Sequence, residues 1–140
     1  MKLCFIDTLG LSYDGSTLEK RGLGGSESAI ILLAKQLQNI GFNVTVFNDC
    51  TSDDTKPGIY DGVQYLPLKE VENNYNFDIV IGSRSVAAFA PPEIKDRFKS
   101  FIGGLPNFKK IIHNSKHRIL WMHDTFCDGD DLIEDLIING

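Results

Sequence analysis

A strand, a helix and a second strand, closed by a single glycine, set the strongest limit on what this chain can fold into. Lys2 to Asp7 contains the apolar run Leu3-Cys4-Phe5-Ile6, which reads as a short buried strand stopped at Asp7. Residues 26–40 place Ala29, Ile30, Leu33, Leu37 and Ile40 at helical spacing, with Gln36, Gln38 and Asn39 mostly on the other side. Gly41 stands where a helix C′ glycine belongs. Val44-Thr45-Val46-Phe47 follows at once as a second strand. Such a crossover joins parallel strands, so the chain is expected to build an α/β fold around a mostly parallel sheet.

The remainder extends that pattern. Residues 63–66 read as a third strand stopped by Pro67, residues 77–81 as a fourth ending at Gly82, and residues 119–122 as a fifth ending at His123-Asp124. Helices are expected over 83–90, 92–102 and 131–138, with a turn or two over 108–115. Residues 8–25 and 48–62 read as polar loops, the second punctuated by Pro57-Gly58. Asp7 and Thr8, Gly82 with Ser83 and Arg84, and His123 with Asp124 then fall at the carboxyl ends of parallel strands. Ligands of open α/β sheets bind outside those ends.

The stretch Gly22-Leu23-Gly24-Gly25-Ser26-Glu27 leaves the same edge and opens the long helix. Its glycines permit positive φ and close ligand approach, and Ser26 is a suitable N-cap. Free N–H groups at a helix start favour an anion, so a phosphate or diphosphate is the first ligand to consider. Two common phosphate loops do not fit. A dinucleotide fingerprint would need glycine where Glu27 stands and a much shorter lead from the first strand. A Walker A loop would need a lysine that Gly25-Ser26-Glu27 lacks. Asp49, just past the second strand, keeps an NAD-linked domain among the readings. Without a ligand the stretch is a turn whose Glu27 suits the helix dipole.

The length of 140 residues, 42% apolar and 24% charged, fits one globular domain. The net charge of -5 disfavours a nucleic-acid binder. No apolar run is long enough to span a bilayer, and the N-terminal run is too short for a signal peptide; residence in a cytosol is expected. Three scattered cysteines make no disulfide framework, and Cys4 reads as core. His113 and His117, four apart, could share a helix face, but no cysteine or acid accompanies them at metal-site spacing. His123 with Cys127 is equally short of ligands, and Asp128, Asp130 and Asp131 miss the calcium-loop spacing, so no metal is expected. Residues 95–118 hold Lys95, Arg97, Lys99, Lys109, Lys110, Lys116 and Arg118 against Asp96 alone, interleaved with Phe98, Phe101 and Phe108. That segment could touch an anionic membrane surface weakly; a solvated face is the simpler account.

Taken in order, these pieces resemble glycosyltransferase family 4. Gly24-Gly25-Ser26-Glu27 with the helix and strand through Phe47 is similar to the family's first βαβ unit. Phe77-Asp78-Ile79-Val80-Ile81-Gly82-Ser83-Arg84 resembles a later strand and loop, and Ile119-Leu120-Trp121-Met122-His123-Asp124 the strand ending in a His-Asp pair. The family comprises GT-B enzymes with two Rossmann-like domains. The resemblance therefore implies that residues 1–140 form one Rossmann-like three-layer sandwich, the N-terminal, acceptor-side domain, without the C-terminal nucleotide-sugar domain. It implies that Gly24, Gly25, Ser26 and Glu27 lie along the donor diphosphate and that His123 is the catalytic residue facing the donor sugar. Ser83, Arg84 and Asp124 would line the acceptor side. The reaction implied is retaining transfer of a sugar from a nucleotide-sugar to an acceptor, with no cofactor beyond the donor and no activity from this piece alone. A stand-alone flavodoxin-like module that binds a phosphate ligand without catalysis is the alternative.

Overall fold

The computed structural model describes residues 1–8, 11–83 and 106–121. In chain order these form β1 (Lys2–Asp7), α1 (Thr17–Lys20), α2 (Gly25–Asn39), β2 (Asn43–Asn48), β3 (Gly58–Tyr60), β4 (Val63–Pro67), a 3-10 turn (Leu68–Glu72), β5 (Ile79–Ser83), α3 (Lys109–Asn114) and β6 (His117–Trp121). The strands make one sheet in the order β3-β4-β2-β1-β5-β6. All pairings are parallel except β3 with β4. The protein is thus α/β with a mostly parallel sheet. Counted without β3, the strands run third, second, first, fourth, fifth, an order compatible with a Rossmann-like fold. A flavodoxin-like order would put β1 between β2 and β4; here β1 lies between β2 and β5.

The β1–α2–β2 unit forms where it is expected, but the buried stripe of α2 is turned from the expected one: Ile30 is shared, Leu33 and Ile40 are exposed, and Ile31 and Ala34 take the inward places. Ile30, Ile31 and Ala34 on α2 are buried, and Leu37 packs beside them. The helix stops in a Schellman motif. Phe42 N–H donates to the Leu37 carbonyl at 3.1 Å and Gly41 N–H to the Gln38 carbonyl at 3.2 Å. Gly41 takes φ +113°, a value that a side chain would resist. Gln38 Oε1 accepts from Val44 N–H at 2.9 Å, so the helix end also positions the start of β2.

Strand alternation divides the apolar side chains between two faces. Leu3, Phe5, Val44, Val46, Val63, Tyr65 and Ile81 join Ile30, Ile31 and Ala34 of α2. Cys4, Ile6, Phe47 and Val80 meet Val71 of the 3-10 turn, Phe77, and Phe108 and Ile111 around α3. Phe47 and Phe77 lie edge to face, 5.7 Å between centroids. At the amino ends of the strands, Asp78 ties three of them together. Its N–H donates to the Lys2 carbonyl, its carboxylate accepts from Lys2 N–H, and its carbonyl accepts from Lys116 and His117 N–H.

Several local readings are corrected. The expected loop 48–62 contains β3, which turns back on β4 through Asp61-Gly62. Both residues have positive φ, 51° and 82°, as a two-residue type I′ hairpin requires. The loop 8–25 contains the one-turn helix α1. β5 begins at Ile79 rather than Phe77, and Gly82 lies inside it rather than ending it. β6 begins at His117, two residues before the expected start. His113 lies in the last turn of α3 and His117 opens β6, so the two do not share a helix face. The helix expected over 83–90 does not begin at Ser83, which is the last residue of β5; its other residues and the helices expected over 92–102 and 131–138 lie outside the described residues. No described helix is long and apolar enough to cross a membrane.

The core sets an alkaline limit on stability. Burial pushes the thiol of Cys50 up from its ordinary 9.0 to about 12, helped by the nearby charges of Asp49 and Asp14. Burial also raises Cys4, Tyr13 and Tyr65. Each is held protonated in the folded chain but ionises near its ordinary value when unfolded. Stability is therefore full below about pH 9 and falls as pH rises towards the folded values, by roughly 1.4 kcal/mol per pH unit for each group so linked. Urea midpoints recorded from pH 7 to 11 should stay level at first and then drop progressively above pH 9.

Candidate functional site

The carboxyl ends of the strands carry a row of polar side chains on the α2 face. Asp7 is in register with Ser83, and Ser83 with Trp121. Ile6 pairs with Phe47, so Asn48 follows beside Asp7. Asn48, Asp7 and Ser83 are each no more than 2% exposed. The boundary between β1 and β5 is where the strand order reverses, the place where doubly wound sheets bind ligands. This brings Ser83 to the same edge as the start of α2.

The segment leaving β1 folds back over this row and inserts Tyr13. The Tyr13 hydroxyl donates to Asp7 Oδ2 at 2.9 Å, its N–H donates to the Asp49 carbonyl at 3.1 Å, and its carbonyl accepts from Asn48 Nδ2 at 2.8 Å. Its ring meets Tyr65 edge on at 6.4 Å, and Tyr65 meets Tyr60 at 5.7 Å. Burial, then the charge and hydrogen bond of Asp7, then the charges around Tyr65 and Glu27, hold the Tyr13 hydroxyl well above its usual range. Tyr13 is therefore a permanent donor, with two carboxylates near its ring end.

A second set of bonds ties this segment to the loop after β2. Asp14 accepts from Ser16 N–H at 2.8 Å, Ser16 Oγ at 2.6 Å and Lys56 N–H at 3.0 Å, and from the Tyr60 hydroxyl at 3.3 Å. The Ser12 and Thr55 hydroxyls meet at 2.9 Å. Arg21 donates to the Ser12 carbonyl at 2.8 Å and lies 3.4 Å from Asp54. Asp49 is engaged locally, accepting from Ser52 Oγ at 3.1 Å.

The glycine stretch is built differently from its sequence expectation. α2 begins at Gly25, and Gly24 is its N-cap, with φ -61° and ψ 160°. Ser26 is thus inside the first turn and does not cap it. Neither Gly24 nor Gly25 uses positive φ. Glu27 is the third residue of the helix and folds back over its start. It is 5% exposed, and its Oε1 accepts from Leu11 N–H at 3.2 Å. Its other oxygen lies 2.5 Å from where a Cβ on Gly24 would stand. The helix start already receives a negative charge from this carboxylate, and an incoming anion would share the site with it.

The two glycines should respond differently to alanine. Gly24→Ala displaces Glu27 from the helix start and removes a favourable N-cap, lowering stability by about 0.5–2 kcal/mol. A Cβ at Gly25 meets nothing within 4 Å. Gly25→Ala should leave stability unchanged or raise it by up to about 1 kcal/mol, since alanine is the better helix residue. Thermal melts of the pair would show the contrast.

Of the residues singled out from the sequence, Gly24, Gly25, Ser26, Glu27 and Ser83 fall on the carboxyl edge of the sheet. Arg84, His123 and Asp124 lie outside the described residues. Sequence reasoning missed Tyr13 and Asn48. Tyr13 is the only aromatic residue of the polar loop 8–25, which is the signal that could have found it. Asn48 falls at the start of the expected polar loop 48–62, yet it is the last residue of β2. Among the described residues no group of three or more His, Cys, Asp or Glu side chains could hold a metal ion. No protein family, curated protein or solved structure matches the chain.

Proposed function

We propose that this chain is the N-terminal, acceptor-side domain of a retaining GT-B glycosyltransferase resembling family 4, with a Rossmann-like three-layer core. In that reading it acts in moving a sugar from a nucleotide-sugar to an acceptor. The observation that supports it best is the register that brings Asp7, Ser83 and the Gly24–Glu27 helix start to one edge, at the reversal of strand order. Gly24 and Gly25 offer backbone to the donor diphosphate, with Ser26 and Glu27 beside it. Gly25 in particular has open space where a side chain would be. Ser83, with Arg84 and Asp124, serves the acceptor, and His123 faces the donor sugar. Backbone N–H groups at the helix start would stabilise charge on the leaving diphosphate, an electrostatic contribution that needs no metal. A second domain supplies most of the nucleotide site, so the 140-residue chain alone binds donor weakly and does not turn it over.

The flavodoxin-like phosphate module fits less well, because β1 has the wrong neighbours for that strand order. The same reading puts the protein in the cytosol. Its basic segment gives only weak support for membrane contact: Lys116 pairs with Asp78 at 3.7 Å and Lys110 lies over the Tyr75 ring at 5.0 Å.

Calorimetric titration of the full-length protein, with its second domain, against a panel of nucleotide-sugars and against NAD tests the proposal. Nucleotide-sugars should bind and NAD should not. Gly25→Val should weaken nucleotide-sugar binding by about tenfold or more, roughly 1.4 kcal/mol, through intrusion of its side chain. Preferential NAD binding, or binding indifferent to Gly25→Val, would overturn the diphosphate role. Turnover of a nucleotide-sugar by the 140-residue chain would overturn the claim that it is inactive alone.

A further inference from the structure

We draw no further inference here: the strongest candidate, the buried polar row at the carboxyl ends of β1, β2 and β5 in which Asn48 Oδ1 has no hydrogen-bond donor among the described residues, belongs to the site already described.

Discussion

Replacing Tyr13 by alanine should lower the stability of the chain by about 3–5 kcal/mol, the range for removing a buried aromatic side chain. Tyr13 is fully buried, stacks edge on against Tyr65 and fills the space between the loop after β1 and the α2 face of the sheet. The loss has a second component, because Asp7 Oδ2 would lose its hydroxyl donor. Tyr13→Phe separates the two. It keeps the ring and removes only the hydroxyl, so it should cost about 1–3 kcal/mol. Urea denaturation of the wild type and both variants gives the comparison. If Tyr13→Phe matched Tyr13→Ala, the hydroxyl rather than the ring would hold this segment. If neither variant lost stability, the insertion of Tyr13 over the strand ends would be wrong.

Asp14→Ala should cost about 2–4 kcal/mol and should also blunt the acid limb of the stability curve. Burial alone would raise the Asp14 carboxyl, but hydrogen bonds from Ser16 and Lys56, with the charge of Lys20, carry it below the usual carboxylate value. A carboxyl lowered by folding contributes stability above its unfolded value, near pH 4, and that contribution is lost as pH falls through the folded value. Alanine removes the acceptor shared by Ser16, Lys56 and Tyr60, leaving part-buried donors to be hydrated or unpaired. Wild-type stability should therefore fall as pH drops below about 4, and the variant should fall less. Asp78, also lowered, chiefly by the hydrogen bond from Lys2 N–H, remains in the variant, so some acid dependence persists. An unchanged acid limb in Asp14→Ala would assign the effect elsewhere.

How much was legible depended on how far apart the interacting residues are in sequence. The α2 helix, Gly41 and the apolar runs of β1 and β2 are local signals and formed where they were expected, but the face α2 buries, Ile30, Ile31 and Ala34 rather than Leu33 and Ile40, was set by its docking on the sheet. The hairpin was equally local and still missed. Tyr60-Asp61-Gly62-Val63 carries the Asp-Gly pair that a type I′ turn favours, but the surrounding polar residues hid a three-residue strand. The glycine stretch shows the opposite case. Gly24-Gly25-Ser26-Glu27 marks a helix start correctly, yet which residue caps it depends on where Glu27 goes. Its carboxylate settles over Gly24 while also reaching Leu11 N–H, sixteen positions earlier in the chain.

By itself, the sequence determined the βαβ unit, the stop at Gly41 and the class of fold, because periodicity and a C′ glycine act within a few residues. Only the tertiary structure decided that β1 sits between β2 and β5, because strand pairing joins residues far apart in the chain. That pairing sets Asp7 against Ser83 and Asn48 next to Asp7, and it leaves room for Tyr13 to cover them. The strand-end part of the candidate site is therefore a product of register: Asp7, Asn48 and Ser83 share no local pattern, and only the ladder of hydrogen bonds across the sheet brings them to one edge.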